Sequence, residues 1–128
     1  MSVLAAIYDT LTEDTTLMAA LPGGISTLWT DSTTLPRAVL NYTTSRLDQN
    51  LHTGTLSVDI FVDGHQIAVA EGIAELIVDA LEDPVMEEGR AGAIRAYHLS
   101  QGLVQEESPE YGHLSMVFEL RFARLTEA

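Results

Sequence analysis

Apolar residues near the N-terminus recur at the spacing of a helix. Val3, Ile7 and Leu11 lie at i, i+4 and i+8, so they share one helix face. A second short helix is predicted to start at Asp14. The Pro-Gly-Gly sequence at 22–24 ends it, because proline cannot continue a helix and glycine accepts the left-handed cap. The chain is therefore expected to begin with two helices.

Further along the chain, apolar and polar residues alternate, which is the pattern of strands with one buried face. Residues 35–43 and 55–63 alternate in this way, and the polar residues at 45–54 between them predict a long hairpin loop. Two more strands are predicted at about 93–105 and 111–125, and the second has the clearest alternation in the chain. The sequence thus predicts two strand pairs.

Between these pairs the period changes to that of a helix. The helix is predicted from Gln66 onward, and Asp83 with Pro84 ends it. Its apolar stripe consists of Ile67, Ala70, Ile73, Ala74, Ile77 and Leu81.

These elements follow the order α-α-β-β-α-β-β, with room for an extra short strand near Ile25. The prediction is an α+β fold, with an antiparallel sheet of about four to five strands and helices packed on one face. A length of 128 residues fits a single domain spanning 1–128.

The net charge of the chain limits the kinds of molecule that it can bind. Nineteen acidic residues face six basic ones, all arginine, which gives a formal net charge of −13. Gripping DNA requires clusters of Lys and Arg that neutralise phosphates, so the charge argues against a nucleic-acid binder. A surface that DNA slides past without sticking remains compatible with it. No apolar run approaches the roughly 18 residues of a membrane span, so no membrane contact is predicted.

One cluster suggests chemistry. Asp59, Asp63 and His65 alternate at the end of a predicted strand and suggest a metal or acid/base site. Phe61 lies between the two aspartates on the same face and is a poor neighbour for a hydrated cation. Asp63 also precedes Gln66 by three residues, the spacing of a capping box, so we predict that it caps the following helix.

Other catalytic patterns are missing from the sequence. There is no cysteine, the four histidines are scattered, and no nucleophile elbow or glycine-rich phosphate loop occurs. We therefore predict no catalytic residue, no metal site, no cofactor and no enzyme activity. A small metal-dependent hydrolase using the aspartate cluster is kept as the alternative hypothesis.

Charged residues also suggest protein interfaces. Arg37, Asp59 and Arg121 fall on the strand face away from the helices, and Arg46 and Asp48 fall in the predicted loop. Mixed apolar and arginine-containing surfaces are typical of interfaces. An Arg37–Asp59 pair within the subunit would compete with that role.

The long helix carries an acidic stripe at helical spacing. This stripe either forms a solvated face, or meets arginines of a neighbouring subunit or lines an acidic channel. It consists of Glu71, Glu75, Asp79 and Glu82.

Five segments follow one another along the chain: DTTLMAALPGGI, LPRAVLNY, TLSVDIFV, IAELIVDAL and SMVFELRF. Their layout, which covers most of the chain, resembles the tail terminator, or tail completion, proteins of long-tailed bacteriophages and related gene transfer agents. Similar layouts occur in head-closure and head–tail adaptor proteins, which form the second hypothesis.

This resemblance implies a structural virion protein without catalytic residues. It implies a homo-oligomeric ring, commonly hexameric, at the neck of the tail, assembled in the host cytoplasm. Such a ring ends tail-tube growth and contacts the tail tube protein and head–tail connector proteins. DNA passes through its lumen without specific binding, and the acidic charge agrees with that role.

Overall fold

The structure is a computed structural model that describes residues 3–27, 34–48, 51–64, 66–83, 85–86, 93–104 and 111–123. The helices are α1 (Val3–Glu13), α2 (Thr15–Ala19) and α3 (Ile67–Ala80). The strands are β1 (Ile25–Ser26), β2 (Arg37–Asp48), β3 (Leu51–Asp63), β4 (Val85–Met86), β5 (Ala93–Val104) and β6 (Tyr111–Ala123).

The six strands form one sheet in the order β1-β2-β3-β6-β5-β4. All neighbours pair antiparallel except β1 and β2, which are parallel. The α+β prediction is confirmed, including the short strand at Ile25. The strand count is higher than predicted because a two-residue strand, β4, also pairs with the start of β5.

The core lies between the three helices and one face of the sheet. Apolar residues predicted to share strand faces are buried together there, because alternation places every second side chain on the same side. The same cluster takes in the apolar stripes of α1 and α3. Its fully buried large side chains include Ile7, Leu11, Leu40, Leu56, Ile60, Ile73, Ile77 and Phe118.

The predicted loop at 45–54 is wrong. β2 continues to Asp48 and β3 begins at Leu51, so most of this polar segment belongs to a long β-hairpin. β3 pairs with β2 on one side and with β6 on the other along this length, which gives its main-chain groups partners. Polar side chains at strand ends do not reveal such pairing. The register shifts between Thr44 and Leu47, which marks a bulge in β2.

The predicted cap at Asp63 is also wrong. Asp63 is the last residue of β3, and Gly64 follows with a φ of 56°. This left-handed turn delays the helix until Ile67, so Gln66 holds the N-cap position, without a side-chain capping hydrogen bond. The second helix is predicted to start at Asp14; α2 begins at Thr15, and Asp14 caps it, because its Oδ1 accepts a 2.9 Å hydrogen bond from the Leu17 amide.

Some predictions fall on residues that the structure does not describe. These are the predicted loop at 87–92, most of the turn joining β5 to β6, and His65. Within the described ranges, no helix is long and apolar enough to cross a membrane.

Candidate functional site

The sheet face turned away from the helices carries a row of stacked side chains. Arg37 on β2 pairs in register with Phe61 on β3, and Phe61 pairs with His113 on β6. The Arg37 guanidinium carbon lies 5.2 Å from the Phe61 ring centroid, and the His113 ring stacks on Phe61 at 4.3 Å. Phe61 is thus sandwiched between a cation and an imidazole. We call Arg37, Asp59, Phe61 and His113 the outer-face cluster.

Asp59 completes this cluster from the next outward position of β3. His113 Nε2 lies 2.8 Å from Asp59 Oδ1, so the ring nitrogen donates to the carboxylate. This hydrogen bond holds the pKa of Asp59 below its usual range. Burial raises the pKa, while a hydrogen bond from Ser115 and the charge of His113 lower it further. The carboxylate is therefore stabilised in its ionised form.

Replacing Asp59 with asparagine is expected to lower the free energy of unfolding by about 1–2 kcal/mol near neutral pH, because a charge-assisted hydrogen bond is lost. The pKa of Asp59 is lowered by folding, so its contribution is fully present above the unfolded-state pKa of about 3.9. That contribution disappears as the pH falls through the folded-state pKa. Urea unfolding at several pH values should therefore show the difference between wild type and Asp59→Asn shrinking below about pH 4.

Asp63→Asn is the matched control, since Asp63 is an exposed carboxylate on the same strand. This variant is expected to change the free energy of unfolding by less than about 0.5 kcal/mol. Equal losses for both variants at every pH would contradict a specific role for the hydrogen bond between Asp59 and His113.

The residues of the hydrolase hypothesis are not brought together as a metal site. Asp59 and Asp63 are four residues apart on one strand, about 13 Å along its axis. Oδ1 of Asp59 is bonded to His113, and His65 lies outside the described residues. Among the residues that the structure describes, no group of three or more His, Asp or Glu side chains is placed to hold a metal ion.

Arg121, a predicted interface residue, lies on the same outer face near the end of β6. Its Nε donates to Glu119 Oε2 at 2.9 Å, and its Nη2 lies 2.8 Å from the same oxygen. The guanidinium carbon also lies 4.7 Å from the Tyr97 ring centroid. The Arg121 side chain is 52% exposed, so the ion pair adds at most about 1 kcal/mol and mainly orients the guanidinium.

The other predicted interface residues are placed differently from expectation. The register puts Phe61, not Asp59, opposite Arg37, and Arg37 is buried. Arg46 and Asp48 belong to β2 rather than to a loop, and their side chains lie outside the described part. The structure therefore brings Arg37 and Asp59 into one cluster and places Arg121 apart from it.

His113 is the residue that sequence reasoning missed. The sequence pattern places His113 on the outer face of the last strand, next to the inward-facing Leu114. Its contact with Asp59, however, depends on the register of β3 against β6. These strands are separated by α3, β4 and β5 in the chain, so no local turn fixes that register. The sequence signal would have been a histidine and an aspartate on the same predicted outer face.

The fold itself has a known counterpart. The chain shares its fold with a chain of a gene transfer agent virion. The match is to a structure of the virion of a native gene transfer agent particle, with a TM-score of 0.76 and 17% sequence identity. It covers 95% of this chain and 95% of that chain. No family model and no curated protein matches the sequence.

Proposed function

We propose that this chain is a structural subunit of a phage-type virion and that it acts as a tail terminator. The observation that carries the proposal is the fold shared with a gene transfer agent virion chain over 95% of both chains. In this role the protein caps the tail tube at its head-proximal end, ends tube growth and joins the tail to the head. It needs no cofactor and performs no chemistry.

The charge of the chain supports a conduit for DNA. A net charge of −13 without any lysine leaves few groups that hold phosphates. An acidic lumen would let DNA pass by repelling it weakly along its length. The same charge keeps subunits apart until specific contacts form.

The outer face supports contact between neighbouring subunits in a ring. Arg121 and Tyr97 are exposed there, and their mutual stacking fixes the guanidinium in one orientation. We place Arg121 at the interface, together with Arg46 and Asp48 near the end of β2. Arg37 and Asp59 support it indirectly by holding Phe61 and His113 in place. Head-to-tail contacts of this kind must close into a ring to avoid filaments.

The purified protein is expected to form closed rings of about six subunits, visible by negative-stain electron microscopy and weighed by light scattering. Arg121→Glu should convert these rings to smaller species, because it places a second acidic group beside Glu119. Arg121→Lys is the matched control and should retain rings, since it keeps the charge. A protein that stays monomeric at high concentration, with tail tubes also present, would contradict the ring.

A tail-tube assay separates a terminator from other neck proteins. Adding a terminator to polymerising tube subunits should stop elongation at one end and leave that end capped. A head-closure or adaptor protein would leave the tube growth rate unchanged and bind only to finished assemblies.

A further inference from the structure

Most of β5 forms an open edge of the sheet. β4 pairs only with Ala93 and Ile94, while the other side of β5 pairs with β6. From Arg95 to Val104, no strand among the described residues lies against the outward edge. With respect to the described strands, the main-chain N–H and C=O groups on this side therefore form an edge to which another extended segment can add.

Large apolar side chains are exposed along the same stretch. Leu99 is 61% exposed and Leu103 is 60% exposed, and Tyr97 and Val104 are also exposed. The register shifts between His98 and Ser100, so Leu99 sits at a bulge. An open strand edge with exposed apolar residues is a typical site for pairing with another chain.

A groove runs between the C-terminal half of α3 and this edge. It has a volume of about 430 Å³, and four consecutive residues of β5, 95–98, line it beside Leu81 and Phe118. An adjoining recess of about 310 Å³ extends it to Gln101. Because consecutive strand residues line the groove, the main chain of the edge opens into it.

The wall of the groove that α3 provides is acidic. Asp79 lines both cavities, with Glu82 beside the first and Glu75 beside the second. All three side chains are exposed, and no basic residue occurs in α3. Arg95 also lines the first cavity, so three carboxylates face one arginine across the groove and its extension, and this balance favours an occupant that brings cations. A second copy of this chain would bring a further net charge of −13.

We propose that the groove between α3 and β5 binds an extended segment of a different protein, which adds to β5 as a further strand. Because side chains alternate along a strand, arginine or lysine residues on one side of the segment face Asp79 and its neighbours. Apolar residues on the other side cover Tyr97 and Leu99. This site shares Tyr97 with the proposed ring contact through Arg121, but the inference does not depend on the terminator function.

The test uses the full chain and a fluorescent ten-residue peptide of alternating arginine and valine, with blocked ends. Fluorescence anisotropy should show saturable binding. Amide chemical shifts in a ¹⁵N-labelled sample should change along residues 95–104 and not along β2. Asp79→Asn should weaken binding about two- to five-fold, the range expected for one partly screened charge pair. Glu71→Gln is the matched control on the same helix and should leave the affinity unchanged.

Two further peptides separate strand addition from simple charge attraction. The same peptide with methylated backbone nitrogens keeps its charge but cannot pair with an edge, so it should lose binding. A peptide of alternating glutamate and valine should not bind. Equal binding of the methylated peptide, or shift changes confined to other surfaces, would overturn the proposal. Dissociation of an oligomer of the free protein by Leu103→Glu would also overturn the proposal. That result would mean that a second copy of this chain, and not a different protein, pairs with the edge of β5.

Discussion

Replacing Phe118 with alanine is expected to lower the free energy of unfolding by about 3–5 kcal/mol. Phe118 is 1% exposed, at the middle of β6 and on the face covered by the helices. Its removal both loses the transfer free energy of a large ring and leaves a cavity that rigid neighbouring strands cannot fill. Urea unfolding followed by circular dichroism measures this change.

Val69→Ala is the control for this prediction, because Val69 is also apolar but 42% exposed, on α3. It is expected to change the free energy of unfolding by less than about 0.5 kcal/mol. A loss of less than about 1 kcal/mol for Phe118→Ala would mean that β6 does not pass through the core in this register.

Replacing Gly23 with alanine is expected to cost about 3 kcal/mol of unfolding free energy, because an added methyl group has no space. The new Cβ would overlap the Thr34 carbonyl oxygen and lie 2.9 Å from that of Pro36. The Gly23 amide already donates to the Pro36 carbonyl at 2.9 Å, so this turn is held tightly against the start of β2. Relief of the clash requires the main chain to move, and thermal or urea unfolding would detect the loss.

Gly72→Ala is the matched control for the glycine substitution. An added Cβ at Gly72 meets nothing within 4 Å, and the residue lies inside α3. Alanine is expected to stabilise the protein there by about 1 kcal/mol, because it favours the helix and loses less backbone entropy on folding. Equal free energies of unfolding for Gly23→Ala and Gly72→Ala would contradict the close packing around Gly23.

The parts of the fold that follow from periodicity were predictable from the sequence. The alternation around Leu56 and Phe118 and the helical stripe through Ile73 identify the main strands and α3. Such patterns record which side chains are buried, and burial decides the face that each element presents to the core.

Features set by main-chain pairing or turn geometry were not predictable in this way. The polar hairpin at 45–54 is extended because neighbouring strands pair with it, and polarity favoured a loop instead. Because Gly64 adopts a left-handed conformation after Asp63, α3 begins only at Ile67, and Asp63 does not cap it. The contact of Asp59 with His113 depends on a long-range register, which no single element of the sequence encodes.

The position of β6 in the sheet has a consequence for biosynthesis. β6 lies between β3 and β5, although it follows both in the chain. Until residues 111–123 leave the ribosome, β3 and β5 therefore lack the strand that lies between them. The sheet surface that packs against α3 is incomplete until then. The pairing of β3 with β6 joins distant parts of the chain and must wait for β6, and such contacts are slow to form. Until late in translation the nascent chain thus exposes the edge of β3 that later pairs with β6, and most of β5 has no strand partner. Such open edges make an incomplete sheet prone to aggregation.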